Sequence, residues 1–177
     1  DLKEYDVATI FYNKTIQKCD SVLSTNTQTQ TCTTPFLITN KTQSLYGIAN
    51  CSIKELLELD KSVKYPNTLK HLLKALKQIQ EGMNFVLTLK NSNDREKLAW
   101  LVLNGTTILY TTCDPLYNLG FGREVVEFLT WSVLSLEALI ITSATRHLPW
   151  RMRLYVTICH CYEDMKMYTE ARAALAR

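Results

Sequence analysis

The strongest constraint on the fold is the spacing of apolar residues between positions 67 and 83. Large apolar side chains recur there at intervals of three and four: Leu69, Leu72, Leu73, Leu76, Ile79 and Met83. This spacing places them along one face of an α-helix. Lys70, Lys74 and Lys77 lie off that stripe. The segment therefore predicts an amphipathic helix whose other face is basic.

The composition favours helices in the rest of the chain as well. Only 5 glycines and 4 prolines occur in 177 residues, whereas all-β sandwiches and barrels need many tight turns. A hydrophobic content of 46% and a charged content of 21% are typical of a globular protein. The net charge of +3 is too small to indicate a nucleic-acid partner. Because the chain begins at Asp1 without a methionine, we expect it to be part of a longer protein.

The first half predicts helices that flank a long loop. Apolar residues among charged ones predict a helix over residues 1–23. Residues 24–50 are rich in Thr, Ser, Asn and Gln and are expected to form a surface loop. The capping-box sequence Ser52-Ile53-Lys54-Glu55 predicts the start of a short helix that ends near Ser62. Tyr65-Pro66-Asn67 should break that helix, and Asn67 is expected to cap the next one.

Two structures compete around Asn104-Gly105. The pair is a strong hairpin signal between apolar runs, and residues 106–112 favour strands. The alternative is one helix from about residue 94 to 113, in which Gly105 costs about 1 kcal/mol relative to alanine. We favour the helix, because the surrounding segments are helical and an isolated hairpin is marginally stable.

The last third predicts further helices. Asp114-Pro115 is expected to restart a helical turn, and Leu119-Gly120-Phe121-Gly122 to form a turn. Residues 123–142 predict a helix that is buried over most of its circumference. Its apolar run, Phe128 to Ile141, contains Glu137 and is shorter than a membrane span. Pro149 begins a helix that runs to about Glu163, and a final helix follows.

These elements predict an all-α fold of stacked antiparallel helical pairs, a TPR-like α-solenoid segment. Tyr162, Tyr168, Ala171 and Leu175 partly follow the tetratricopeptide spacing. We expect two domains: residues 1–92, a helical segment containing the loop, and residues 93–177, the TPR-like pairs. The residues expected to pack the helices together are Trp100, Phe128, Trp131, Trp150, Tyr155, Tyr162, Tyr168 and Ala171.

An extracellular alternative rests on cysteines and glycosylation sequons. Six cysteines are an even number, as in many disulfide-linked secreted domains. Asn13, Asn40, Asn50 and Asn104 each begin an Asn-x-Ser/Thr sequon. However, Cys113, Cys159 and Cys161 lie in apolar helical stretches, where free cysteine is a common core residue. A secreted, disulfide-bonded and N-glycosylated helical domain therefore stays open as the alternative.

The sequence predicts no enzymatic activity, no metal and no cofactor. It contains no phosphate-binding loop, no GxSxG and no HExxH. Cys159-His160-Cys161 would point its two thiols about 200° apart on a helix, so they cannot ligate one ion. His71 and His147 have no acidic or nucleophilic partner nearby in sequence.

The order of short motifs in the second half resembles one known family. These motifs are Leu98-Ala99-Trp100, Asn104-Gly105-Thr106, Tyr110-Thr111-Thr112-Cys113, Gly120-Phe121-Gly122, Glu127-Phe128-Leu129-Thr130-Trp131, Leu148-Pro149-Trp150 and Leu154-Tyr155-Val156-Thr157-Ile158-Cys159-His160-Cys161-Tyr162. Together they resemble the cilia- and flagella-associated protein 54 family over about residues 96–177. The resemblance implies a structural scaffold of the ciliary central apparatus, located in the cytoskeleton of the axoneme, with reduced cysteines and a role in ciliary movement.

The resemblance also implies the partners. Other central-apparatus proteins would bind the chain, and association with microtubules would be indirect. The residues themselves add one candidate surface, the basic helix with Lys70, Lys74 and Lys77. A basic amphipathic helix can be a calmodulin target or lie on a membrane, although a solvated face is the favoured interpretation. Neither nucleic acid nor a membrane is expected as a partner.

Overall fold

The computed structural model describes residues 2–25, 34–139 and 147–176. Every regular element within these ranges is an α-helix, which confirms the predicted all-α class. The eight helices of the described ranges are α1 (Leu2–Thr25), α2 (Thr34–Leu59), α3 (Pro66–Leu87), α4 (Ser92–Lys97), α5 (Ala99–Asn118), α6 (Gly122–Leu139), α7 (Leu148–Asp164) and α8 (Tyr168–Leu175).

The chain divides into two compact units, Asp1–Gly105 and Thr106–Arg177. In the first unit α1 packs against α2, and α2 packs against α3. In the second unit α6 packs against α7, and α7 packs against α8. These sequential neighbours are antiparallel, as predicted. The TPR-like solenoid and the domain division at residues 92 and 93 stay predictions.

The predicted loop over residues 24–50 is wrong for residues 34–50, which belong to α2. Ile38, Thr42, Tyr46, Ala49 and Ile53 form a buried stripe with helical spacing. The sequence pattern did not reveal this stripe, because threonine and tyrosine occupy positions where leucine would have indicated an apolar helix face. Residues 24 and 25 end α1, and residues 26–33 of the expected loop lie outside the described residues. The capping-box sequence at residues 52–55 lies inside α2 and starts no helix.

The turn from α2 to α3 depends on a carboxylate. Asp60 accepts a hydrogen bond from the backbone N–H of Tyr65 over 3.1 Å, and Val63 has a φ of 48°. Tyr65 occupies the N-cap position of α3, and Pro66 opens the helix. The prediction that Asn67 caps this helix is therefore wrong. Proline takes the first position because its missing N–H would be unpaired there in any case.

Asn104-Gly105 lies in the middle of α5, so the helical alternative is confirmed. The expected helix over 94–113 is nevertheless interrupted. α4 is capped by the side chain of Asn91, and α5 begins after Leu98. Pro115 lies inside α5 and restarts nothing, contrary to the prediction. We attribute the tolerance of this proline to the fully buried side chains of Cys113 and Leu116, which anchor the last turn in the core.

The remaining boundaries agree with the sequence. The turn before α6 contains Gly120 with a φ of 94°, a conformation that suits glycine. α6 begins at Gly122, and positions 140–142 of the predicted helix lie outside the described residues. α7 carries Pro149 in its first turn, and α8 is the final helix.

Tyrosine rings pack on glycines where helices meet. In the first unit the Tyr12 ring of α1 covers Gly47 of α2, and the Tyr46 ring of α2 covers Gly82 of α3. The Tyr46 hydroxyl also lies against Gly105 and donates a hydrogen bond to the carbonyl of Leu101 over 3.0 Å. In the second unit the Tyr117 ring of α5 lies against Gly122 of α6. A side chain on Gly47, Gly82 or Gly105 would occupy space that the tyrosines now fill.

Candidate interaction surfaces

The basic face of α3 (Lys70, Lys74 and Lys77) is exposed, as the sequence predicts. His71 is exposed beside it. None of the three lysines forms an ion pair with a carboxylate in the described part of the chain. The face therefore offers three ammonium groups to an acidic partner.

An open groove of about 310 Å³ adjoins the basic face of α3. His71, Lys74 and Gln78 of α3 line one side, and Glu55 and Leu59 of α2 line the other. Leu59 is among the exposed large apolar side chains. The groove thus places apolar surface beside a cation, a combination typical of weak protein contacts.

The opposite face of α3 forms the centre of the first core. Leu72, Leu76, Ile79 and Met83 are fully buried there. Calmodulin binds an amphipathic helix through its apolar face. In the folded chain this face already packs against other helices, so calmodulin could reach it only if α3 left the core.

The predicted packing residues differ in burial. Phe128, Tyr155 and Ala171 are buried, whereas Trp131, Trp150 and Tyr162 are half-buried. Trp100 is 43% exposed and Tyr168 is 60% exposed. Exposure of these two side chains does not fit the expected packing role, because a packed aromatic loses most of its accessible surface. The energetic contribution of all eight side chains stays a prediction.

Trp150 is held at the start of α7 by contacts within the second unit. Its indole Nε1–H donates to Thr106 Oγ1 over 3.0 Å. Its ring meets Tyr110 edge-on, with 5.2 Å between ring centroids. The guanidinium of Arg153 lies 5.7 Å from the centre of the Tyr110 ring. The sequence suggested no contact for this arginine, because the aromatic partner is more than forty residues away.

Glu137 interrupts the apolar surface of α6 because two groups of α7 hold its carboxylate. Arg151 Nη2 lies 2.7 Å from Glu137 Oε1, and the Tyr155 hydroxyl donates to the same oxygen over 2.6 Å. The sequence showed Glu137 as a charged residue within an apolar run, but it could not identify these partners. These two charge-assisted contacts with the Glu137 carboxylate stabilise the packing of α6 against α7.

The cysteines of the described residues carry free thiols: Cys19, Cys51, Cys113, Cys159 and Cys161. Burial raises the pKa of the Cys113 thiol strongly, and burial also raises the pKa of Cys161 to about 12. A raised pKa keeps a thiol protonated and weakly nucleophilic at neutral pH. Cys159 Sγ lies 3.5 Å from the carbonyl oxygen of Ala171 and joins α7 to α8. Cys32 lies outside the described residues.

Among the described residues, no group of three or more His, Cys, Asp or Glu side chains is placed to hold a metal ion. Among those residues, no helix has both the length and the apolar character needed to cross a bilayer.

One exposed surface was not recognised in the sequence. Val7, Ile10 and Phe11 of α1 point away from α2, and we name them the outward face of α1. Their exposed fractions are 52%, 54% and 64%. The sequence predicted that α1 is helical. Apolar residues recur at helical spacing along one face of α1, and further apolar residues fall between them, so their order could have revealed a second apolar face.

Comparison with known proteins decides the family. Residues 2–177 match the family profile for the N-terminal region described as "Cilia- and flagella-associated protein 54". The chain belongs to the cilia- and flagella-associated protein 54 family. The resemblance seen in the second half is therefore confirmed, and it extends over the polar first half, including the segment first expected to be a loop.

Three relatives in the family carry the same description. The Chlamydomonas reinhardtii protein is 33% identical over 139 residues, which cover 78% of this chain. The Mus musculus protein is 29% identical over 138 residues, or 76% of the chain. The Homo sapiens protein is 28% identical over 121 residues, or 68% of the chain. In each case the matched region is about 4% of the relative's length.

Membership associates the chain with cilia and flagella and indicates no enzymatic activity. The family name identifies no partner. What the chain does therefore has to be argued from its surfaces.

Proposed function

We propose that this chain is a structural scaffold segment of a large axonemal protein of the ciliary central apparatus. Its function is to hold other central-apparatus proteins through helix surfaces, and so to support ciliary motility. Association with microtubules is indirect in this proposal. The observation that carries it is the family match over residues 2–177.

The physical support comes from the kind of surface the helices expose. On α3, lysines that form no ion pair with a carboxylate of the described residues lie beside the groove lined by Leu59 and Glu55. Apolar side chains on α1 remain exposed on a helix that is already packed on its other side. Exposed apolar groups next to charges are characteristic of protein-binding surfaces.

Fractionation of cilia tests the proposed location. The full-length protein that contains this segment would carry an epitope tag, and detergent would remove membrane and soluble matrix from isolated cilia. We expect the protein in the axonemal pellet and, by electron cryotomography of tagged axonemes, density on the central pair. Recovery in the detergent-soluble fraction, or labelling of the outer doublets alone, would contradict the proposal.

Charge reversal tests the basic face of α3 as a docking surface. Lys70, Lys74 and Lys77 would be changed together to glutamate in the full-length protein. We expect weaker retention in axonemes at increasing salt, because electrostatic docking is screened by ions. In a matched control, Lys54, Lys61 and Lys64, which are also exposed, would be changed to glutamate. The two variants then carry the same net charge. Equal retention of the two variants would exclude a specific role for α3.

A further inference from the structure

Helix α1 is apolar on two sides, although its packing partner is α2. Tyr12, Ile16 and Cys19 lie on the side that faces the core, and Cys19 is buried. Val7, Ile10 and Phe11 form the outward face, each more than half exposed. A second apolar stripe on a helix that is already packed on its other side leaves apolar surface that another helix can cover. The outward face of α1 is therefore suited to a second helix.

The charges along this face identify the kind of helix that fits. Glu4 and Lys18 each lie seven residues from Phe11, on opposite sides of it. Seven residues are close to two helical turns, so both charged side chains share the line of Phe11. Glu4 and Lys18 are exposed, and neither forms an ion pair within the part of the chain that the structure describes. The face thus carries a negative end, an apolar centre and a positive end.

This face is complementary to the same face of a second helix that runs antiparallel to it. We propose that the outward face of α1 pairs, antiparallel and two-fold symmetric, with the same face of a second copy of this chain. Phe11 lies at the symmetry axis, so that Glu4 of each copy opposes Lys18 of the other. An isologous contact of this kind closes after two copies. It removes the exposed Val7, Ile10 and Phe11 from water, which is the main favourable contribution.

Lys14 fits the same arrangement. Its ammonium lies 6.0 Å from the centre of the Phe11 ring, at the outer limit of a cation–π contact. In a two-fold antiparallel pair, side chains on the same flank of the contact line face each other, so Lys14 would lie beside Val7 of the second copy, where its methylene chain can cover apolar surface. A purely acidic partner helix would leave Glu4 facing like charge, and an anionic lipid surface would repel Glu4 in the same way. The second copy is the occupant that satisfies both charged ends.

Mass measurement on the 177-residue chain tests this pairing. Light scattering coupled to size exclusion and sedimentation velocity should give a mass that rises with concentration from 20.4 kDa towards twice that value. Phe11→Glu should keep the chain monomeric throughout the micromolar range. Lys18→Glu should raise the dissociation constant about tenfold or more, because it creates two like-charge contacts. Glu4→Lys combined with Lys18→Glu should restore it to within about threefold of the unmodified chain.

A matched control separates pairing from general stickiness. Phe36 on α2 is 67% exposed, so Phe36→Glu removes a comparable aromatic elsewhere and should leave the dimer intact. Circular dichroism of each variant verifies that the helices remain folded. A mass of one copy at every concentration would overturn the proposal and assign the face to another segment or partner. Failure of the double charge exchange to restore pairing would overturn the two-fold arrangement. Sedimentation of the chain with anionic vesicles, without self-association, would assign the face to a membrane and would also overturn it.

Discussion

Gly105 occupies a position in α5 that two other side chains touch. A Cβ there would lie 2.5 Å from the Tyr46 hydroxyl and 2.6 Å from Met83 Cγ. Tyr46 cannot easily move, because its hydroxyl donates to the carbonyl of Leu101 and its ring is buried. Close packing therefore requires glycine at this position. Backbone conformation does not, because its φ is helical.

Gly105→Ala is a test in which two effects oppose each other. Helix propensity alone would stabilise the protein by about 1 kcal/mol. Overpacking of a fully buried site typically costs about 1–3 kcal/mol, and we expect it to dominate, so the free energy of unfolding should fall. Urea denaturation measures the change. Asn104→Ala, at the adjacent exposed position, is the control and should be neutral or slightly stabilising. A more stable Gly105→Ala variant would contradict the packing described for Tyr46.

Asp60 makes the α2–α3 turn sensitive to pH. The Tyr65 N–H holds the pKa of this carboxyl below its ordinary value of 3.8, and the backbone N–H groups of Lys64 and Ser62 and the Thr68 hydroxyl add to the effect. A carboxyl whose pKa is lower in the folded state stabilises the fold above its unfolded pKa. That stability is lost as the pH falls through the folded pKa.

Asp60→Asn should therefore lower the melting temperature at pH 7, because the amide cannot accept the same set of hydrogen bonds. The difference from the unmodified protein should begin to shrink as the pH falls below about 4, where the carboxyl of the unfolded chain becomes protonated, and it should disappear below the lower pKa of the folded state. Thermal melts across this range by circular dichroism provide the measurement. Asp6→Asn, at an exposed position of α1, is the control. A difference between Asp60→Asn and the unmodified protein that does not change with pH would show that the charge of Asp60 is irrelevant.

At the scale of the helix, α3 shows why an amphipathic pattern does not by itself identify a ligand. The same stripe that would anchor calmodulin is the fully buried stripe of Leu72, Leu76, Ile79 and Met83. Burial of each of these side chains contributes about 1.5–3 kcal/mol. Releasing the helix would therefore cost the chain much of its net stability.

Calmodulin binding should then depend on the state of the helix. If α3 is a calmodulin target, a peptide spanning residues 67–85 should bind calcium-loaded calmodulin with micromolar affinity, whereas the folded chain should not bind. Titration calorimetry on both measures the difference. A Leu72→Glu peptide, which disrupts the apolar face, is the matched control. No micromolar binding by the unmodified peptide would remove calmodulin as a partner, and equal binding by the folded chain would contradict the observed core.

Helices α7 and α8 meet at a small residue. Ala171 is buried, and its carbonyl lies against the thiol of Cys159. We expect Ala171→Leu to overfill this crossing and to lower the free energy of unfolding by about 1–3 kcal/mol. Ala173→Leu, at an exposed position of the same helix, should have little effect. Near-identical melting of Ala171→Leu and the unmodified protein would argue against a tight crossing.

At the scale of the whole molecule, the redox state of the cysteines separates a ciliary chain from a secreted one. A cytoskeletal protein keeps its thiols reduced. Unfolded but unreduced protein should titrate with all 6 of its cysteines as thiols. In the native state the buried Cys113 and Cys161 should react slowly, because burial raises the pKa of both thiols. Ellman's reagent provides both measurements, and chemically reduced protein is the reference. Titration of two or four thiols fewer would favour the disulfide-linked alternative.

Family membership and the all-α class could both be obtained from the sequence. Helical periodicity was clear where leucine and isoleucine formed the stripe, as in α3, and the low glycine and proline content argued against β sandwiches and barrels. The same method failed over residues 34–50, because Thr42 and Tyr46 are polar by type but buried in place. Their hydroxyls are satisfied by the carbonyls of Gly82 and Leu101, forty and fifty-five residues away. No local pattern shows such partners.

The sequence by itself determined that this chain forms helices and which family it belongs to, because both follow from the order and spacing of neighbouring residues. Only the tertiary structure decided which apolar faces are buried and which remain free. In the folded chain the apolar stripe of α3 is buried, whereas Trp100, Tyr168 and the outward face of α1 are exposed. The reason is physical: burial depends on what packs against a surface, and those partners are distant in the chain.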